Sequence, residues 1–130
     1  MIYVDTCLVI YAIEDDGMLG TRARALFQDP AVPFAISPLV MMEALVAPLR
    51  SDDDRLIDTY HQLFTGWDLI ELDVTTYLHA AQIRAANPTL KTVDALHLAA
   101  AQLAGCTTLW TNDKRLTTAA GSFAVDVIGA

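Results

Sequence analysis

Lys91-Thr92-Val93-Asp94-Ala95-Leu96-His97-Leu98-Ala99-Ala100-Ala101-Gln102-Leu103-Ala104-Gly105-Cys106-Thr107-Thr108-Leu109-Trp110-Thr111-Asn112-Asp113 is the stretch whose reading decides the fold. Thr92 reads as an N-cap, which puts Asp94 in the first turn of a helix. Ala95, Leu96, Leu98, Ala99, Ala100, Ala101, Leu103 and Ala104 leave that helix almost no polar face, so it is expected to be buried. Gly105 closes it, Thr107–Trp110 follows as a short buried strand, and Thr111-Asn112-Asp113 comes where that strand ends. A right-handed crossover runs its helix antiparallel to the strands, so the helix N-terminus lies over their carboxyl ends. Asp94 and Asp113 are therefore expected on one edge. An unpaired carboxylate in an apolar layer is costly, so Asp94 either complements the helix dipole near an exposed end or belongs to a site.

The rest of the chain repeats the alternation. Ile2-Tyr3-Val4 is a short apolar run, as in a parallel strand covered on both faces, and it stops at Asp5. Thr6–Ile13 has helical apolar spacing, Glu14-Asp15-Asp16-Gly17 reads as a solvated loop, and Thr21–Phe27 as a second short helix. Pro33–Ile36 is a second strand. Ser37-Pro38 then signals a helix start, and the helix from Leu39 to about Leu49 is apolar except for Glu43. Asp52-Asp53-Asp54 opens an amphipathic helix carrying Leu56, Ile57, Tyr60, Leu63 and Phe64. Leu69–Leu72 is a third strand, and Asp73 caps a helix over Val74–Ala86. Asn87-Pro88 breaks the chain ahead of the opening stretch. After Asp113, Lys114-Arg115-Leu116 begins a helical turn, Gly121 breaks it, and Phe123–Ile128 is a last edge strand. Strands alternating with helices give a single α/β domain over residues 1–130, with a mainly parallel central sheet flanked by helices.

Composition bounds the function. The 130 residues suffice for one core and not two. Hydrophobic residues make up 54% and the mean hydropathy is +0.37, more apolar surface than so small a domain easily hides, so part is expected at a subunit or partner interface. No apolar run reaches the length of a membrane span, and the first basic residue is Arg22, so a cytoplasmic protein is expected, without a membrane partner. Cys7 and Cys106 lack any zinc-like spacing and are expected as reduced, partly buried thiols. The formal net charge of −8 argues at first against a polyanionic partner.

Four acids bear on that objection. Asp5 follows strand one, Glu43 lies early in the helix after strand two, Asp94 begins the helix before strand four, and Asp113 follows strand four. Topology places all four at the carboxyl edge, where open α/β sheets bind ligands. Like charges gathered there repel, and a divalent cation resolves the conflict. An all-oxygen set selects a hard ion, Mg²⁺ or Mn²⁺, suited to activating water and shielding a phosphodiester. Setting the four acids aside leaves −4 of the formal −8. Lys91, Lys114 and Arg115 flank Asp94 or Asp113 and can meet phosphates. Binding of a phosphodiester substrate is expected to be weak and salt-sensitive.

Val4-Asp5-Thr6 after a first strand, Ser37 with Glu43 six residues later, Lys91 to Ala99, and Thr111-Asn112-Asp113 together resemble the PIN-domain nucleases. The resemblance spans essentially the whole chain, and a free-standing domain of this size is similar to the VapC toxins of toxin–antitoxin pairs. It implies a metal-dependent endoribonuclease with Asp5, Glu43, Asp94 and Asp113 as the acidic set and the Thr111 hydroxyl assisting. It also implies a homodimer and a VapB-like antitoxin that blocks the groove. Cys7 departs from the family, which more often has Ser or Asn at that place.

Lesser candidates read structurally. His97 is expected as a packed histidine bonded to a backbone carbonyl, Met41 and Met42 as core filler, and Trp67 and Trp110 as core or interface residues. The rivals are a phosphotransfer module, which wants a second acid beside Asp5 where this chain has Thr6 and Cys7, a PIN-fold nuclease acting in RNA processing or on DNA, and a non-catalytic binding module.

Overall fold

The computed structural model describes residues 1–129. Strands β1 (Ile2–Val4), β2 (Phe34–Ile36), β3 (Asp68–Leu69), β4 (Thr108–Thr111) and β5 (Ala124–Asp126) form one sheet in the order β3-β2-β1-β4-β5. Every neighbouring pair is parallel. The connections are α1 (Thr6–Glu14), α2 (Met18–Leu26), α3 (Pro38–Arg50), α4 (Asp54–Thr65), α5 (Val74–Ala86), α6 (Thr92–Leu103) and α7 (Lys114–Ala120), with a 3-10 turn at Gly121–Phe123. β1 leads to β2 on one side and pairs with β4 on the other, so the topological switch lies between β1 and β4 and opens a crevice at their carboxyl ends.

Burial follows the expected pattern. Ala95 through Ala101 of α6 are all buried, and with Val4, Leu8, Ile36, Val40 and Leu109 they make the core. Gly105 ends α6 at φ 75°, a backbone geometry that disfavours side chains with a Cβ. Asp73 caps α5 by accepting the Thr76 amide at 3.0 Å, as read from the sequence. Cys7 and Cys106 are free thiols. Among the described residues no helix is long and apolar enough to cross a membrane.

Several expectations are corrected. The third strand is not Leu69–Leu72 but the pair Asp68–Leu69, both exposed. It is an edge strand bonded on one side only; the Ile70 amide still reaches the Ile36 carbonyl at 2.8 Å, after which the chain leaves towards the Asp73 cap. Thr92 is not the N-cap of α6: Lys91 holds that position, and the Thr92 hydroxyl accepts from Arg84 Nη1 at 3.0 Å instead. The second helix begins at Met18 rather than Thr21, because Asp15 Oδ2 accepts the Gly20 amide at 2.6 Å and secures the first turn. The acidic loop is thus partly structural, and Glu14 also accepts the hydroxyl of buried Tyr60. Met42 is not core filler: Val40, Ala44 and Pro48 form the buried face of α3, which leaves Met42 54% exposed with Val46 and Leu49 on the outer face.

Candidate active site

The site is assembled where strands end and helices begin. β1 ends at Val4, and Asp5, in extended backbone, caps α1: its Oδ1 accepts the Thr6 amide at 2.8 Å. Asp5 Oδ2 accepts the Thr111 hydroxyl at 2.7 Å and faces the Cys7 thiol at 3.7 Å. Thr111 is the last residue of β4 and fully buried, and its Oγ1 also accepts the Asp113 amide at 2.9 Å. One hydroxyl therefore ties the end of β1 to the turn after β4. Asp113 caps α7 through Oδ1, which accepts the Arg115 amide at 2.8 Å. Burial, and then the Asp5 charge, push the Cys7 thiol up to about 12, so it stays protonated beside that carboxylate.

Asp94, in the first turn of α6, is the anomaly. Its Oδ2 is buried and has no hydrogen-bond partner. Burial raises its carboxyl above the ordinary aspartate range, and the charges of Asp113, Asp5 and Glu43 raise it further, against a smaller opposing effect of His97. The charges of the other three acids read from the sequence thus all bear on Asp94 at the carboxyl edge.

Glu43, in the second turn of α3, is held differently. Its Oε1 accepts the Thr6 hydroxyl at 2.7 Å and lies 2.6 Å from His97 Nε2. Burial alone would raise its carboxyl, but the bonds from His97 and Thr6 outweigh this and hold it below the ordinary range. His97 is therefore not bonded to a backbone carbonyl. It lies one turn beyond Asp94 with its Nε2 side open to the acids, and its Nδ1 meets the Tyr3 hydroxyl at 2.6 Å. Tyr3 in turn lies 2.7 Å from Ser37 Oγ, so Ser37 occupies the N-cap position of α3 without capping it. Ser37 and Thr6 stand in the motifs read from the sequence, but their bonds to Tyr3 and Glu43 were not foreseen, and Tyr3 itself was not singled out. The available signal was a phenol in a strand covered on both faces, since a buried tyrosine hydroxyl needs a partner.

Lys91, Lys114 and Arg115 are exposed. Lys114 and Arg115 line a cleft of about 200 Å³ with Asn87, Thr89, Leu90 and Thr118, while Lys91 stands outside it. Trp67 and Trp110 are half-buried, both against Phe34, in an aromatic cluster away from solvent stacking. A further acid, Asp126 at the end of β5, was also missed. It is engaged locally, accepting from Asn112 Nδ2 at 3.1 Å and from the Gly129 amide at 2.7 Å.

Among the described residues, no three His, Cys, Asp or Glu side chains stand as a ready-formed metal cage. The chemistry of the donors fits a hard divalent cation all the same. Asp5, Asp94, Asp113 and Glu43 offer only carboxylate oxygens, and the orphaned Asp94 Oδ2 is a buried acceptor among like charges.

Residues 2–122 match the family model described as PIN domain. No curated protein sequence matches the chain. Among solved structures, a chain of a toxin–antitoxin complex from Klebsiella pneumoniae is 22% identical, with 97% of each chain covered and a TM-score of 0.78. A chain of the DNA-bound VapBC complex from Salmonella typhimurium is 18% identical over 96% of both chains, with a TM-score of 0.80. The Mycobacterium tuberculosis toxin VapC20, described as cleaving the Sarcin-Ricin loop, is 18% identical over 92% of this chain and 95% of its own, with a TM-score of 0.75. At these identities the likeness is one of fold.

Proposed function

The chain belongs to the PIN-domain family, and from that premise we propose that it is a metal-dependent endoribonuclease, the toxin of a VapBC-type pair, acting in the cytoplasm. The observation that carries this reading is Asp94: a carboxylate with a buried, unpartnered oxygen, surrounded by the charges of Asp113, Asp5 and Glu43. The helix dipole favours an acid in the first turn of α6, but it gives no reason to keep one oxygen buried and unpaired among other acids. The same reading takes residues 1–130 as one PIN domain, since β5, beyond the family match, pairs with β4.

Asp5, Glu43, Asp94 and Asp113 would hold Mg²⁺, with Mn²⁺ as a substitute. When bound, such an ion supplies a water of lowered pKa and charge neutralisation for in-line attack on a phosphodiester. Thr111 fixes the orientation of Asp5 through its hydroxyl and does not itself need to ionise. Lys114 and Arg115, on the cleft beside Asp113, and Lys91 at the start of α6 would meet RNA phosphates, giving weak and salt-sensitive binding on a chain of charge −8.

Two partners follow from the same reading. The neighbours that are toxin–antitoxin or VapBC complexes favour a VapB-like antitoxin covering the acidic edge. A homodimer is favoured by the exposed apolar residues Met42, Val46 and Leu49 on α3 with Val74, Tyr77 and Leu78 on α5. The test is incubation of the purified chain with total RNA, with and without EDTA, followed by mapping of new ends. Discrete new ends that vanish with EDTA and in Asp5→Asn support the reading; cleavage that persists in both overturns it.

A further inference from the structure

Of the hydrogen-bonded chain Ser37–Tyr3–His97–Glu43, only Glu43 has a part in the chemistry described so far. It crosses three elements: Tyr3 on β1, His97 on α6 and Glu43 on α3. Tyr3 is 0% exposed and His97 1% exposed, so neither can exchange its partner for water. Burial keeps the Tyr3 hydroxyl protonated, so it is available as a donor.

One proton arrangement satisfies every member. With the His97 proton on Nε2, Ser37 would donate to the Tyr3 oxygen at 2.7 Å, Tyr3 to His97 Nδ1 at 2.6 Å, and His97 Nε2–H to Glu43 Oε1 at 2.6 Å. The Thr6 hydroxyl adds a second bond to that same oxygen at 2.7 Å. Both bonds fall on Oε1, so Glu43 is gripped by one oxygen and keeps the other for a ligand. A glutamate ordinarily loses considerable rotamer freedom when fixed, and here two buried donors fix it beforehand.

We propose that His97, held by Tyr3, is a positioning residue that orients Glu43 for the divalent cation. The proposal rests on the metal-dependent reading above and deepens it. It parallels the outer-shell donors that orient metal-ligating carboxylates elsewhere, whose loss weakens metal affinity or activity by about 10–100-fold. Neither residue touches the substrate in this account.

The test measures Mn²⁺ affinity by calorimetry in the parent, His97→Ala, His97→Gln and Tyr3→Phe, alongside thermal unfolding in EDTA to confirm that each variant is folded at the binding temperature. Glutamine can place an amide N–H near the position of Nε2. The expected result is Mn²⁺ affinity at least about tenfold weaker in folded His97→Ala, largely restored in His97→Gln, and weakened about threefold in Tyr3→Phe, the loss of one neutral hydrogen bond. If His97→Ala does not fold, Tyr3→Phe carries the test. Nitrogen-15 NMR of the metal-free parent supplies a readout apart from the metal: a protonated Nε2 supports the proposal, and a bare Nε2 with the proton on Nδ1 overturns it. Unchanged Mn²⁺ affinity in folded His97→Ala, or in Tyr3→Phe where His97→Ala fails to fold, overturns it also. A parent that binds no Mn²⁺ refutes the metal reading itself, and this inference with it.

Discussion

Replacing Asp94 with asparagine should raise stability without metal and lower it with metal. Asp94 Oδ2 is buried without a partner, and an unsatisfied buried acceptor costs about 1–3 kcal/mol, more when charged. Asp94 is only half-buried, so about 1 kcal/mol is the appropriate figure after solvent screening. An amide removes the charge facing Asp113 and Asp5 and supplies a donor where the surroundings are negative. With an unfolding entropy of about 2.1 cal/mol/K per residue, 1 kcal/mol corresponds to about 4 °C in Tm for a chain of 130 residues. In EDTA at neutral pH, Asp94→Asn should therefore melt about 4 °C above the parent. The sign with pH follows from the raised carboxyl of Asp94. Between the unfolded value of about 3.9 and the raised folded one, the folded parent holds the extra proton, so its stability falls as pH rises through that window. The advantage of the variant is complete above the window and fades as pH drops towards the unfolded value. With Mn²⁺ at a hundred times its Kd the parent should gain about 2.7 kcal/mol, or about 10 °C, and the variant little, so the order of melting reverses. Differential scanning calorimetry in EDTA and in Mn²⁺ reads both arms. An Asp94→Asn protein that melts below the parent in EDTA, or that gains as much from Mn²⁺ as the parent does, would refute the reasoning.

Thr111→Val removes the donor to Asp5 Oδ2 and leaves the Asp113 amide without its acceptor; a loss of about 1–3 kcal/mol in urea unfolding is expected, with RNA cleavage down about tenfold. Gly20→Ala would set a Cβ 1.8 Å from the Asp15 carbonyl oxygen, and because backbone cannot yield cheaply, destabilisation beyond about 2 kcal/mol should appear in the same assay. Lys114→Gln with Arg115→Gln should weaken RNA binding alike across sequences and reduce the log–log salt slope by about 1.4 in fluorescence anisotropy; an unchanged slope removes both from the interface. Glu43 has the opposite sign to Asp94: its lowered carboxyl contributes stability above the unfolded glutamate value that is lost as pH falls through the folded one, so Glu43→Gln should flatten the acid limb of the stability curve.

The elements that could be read directly are those governed by local rules. The apolar run of α6, the Asp73 cap and the Gly105 stop are properties of a few adjacent residues, and each stands where the spacing puts it. The order of strands and helices then places Asp5, Glu43, Asp94 and Asp113 on one rim, because a right-handed crossover leaves little freedom in which end a helix start can occupy. Boundaries were less legible where two local devices compete. Thr92 has the chemistry of an N-cap, but its hydroxyl was claimed by Arg84, and the third strand was cut short by having a neighbour on only one side.

What the sequence determined by itself was therefore the parallel alternation and the rim on which the acids gather, since both follow from periodicity and chain direction. What only the tertiary structure decided was whom each side chain meets there. Tyr3 and His97 are 94 residues apart, and Thr111 and Asp5 are 106 apart, so no spacing rule relates them. Their pairing exists because β1 lies between β2 and β4 with α6 packed against β4, and burial then obliges each polar atom to take the partner the fold brings to it. Among the described residues the unpartnered oxygen of Asp94 is the exception to that obligation, and it is the exception on which the functional reading turns.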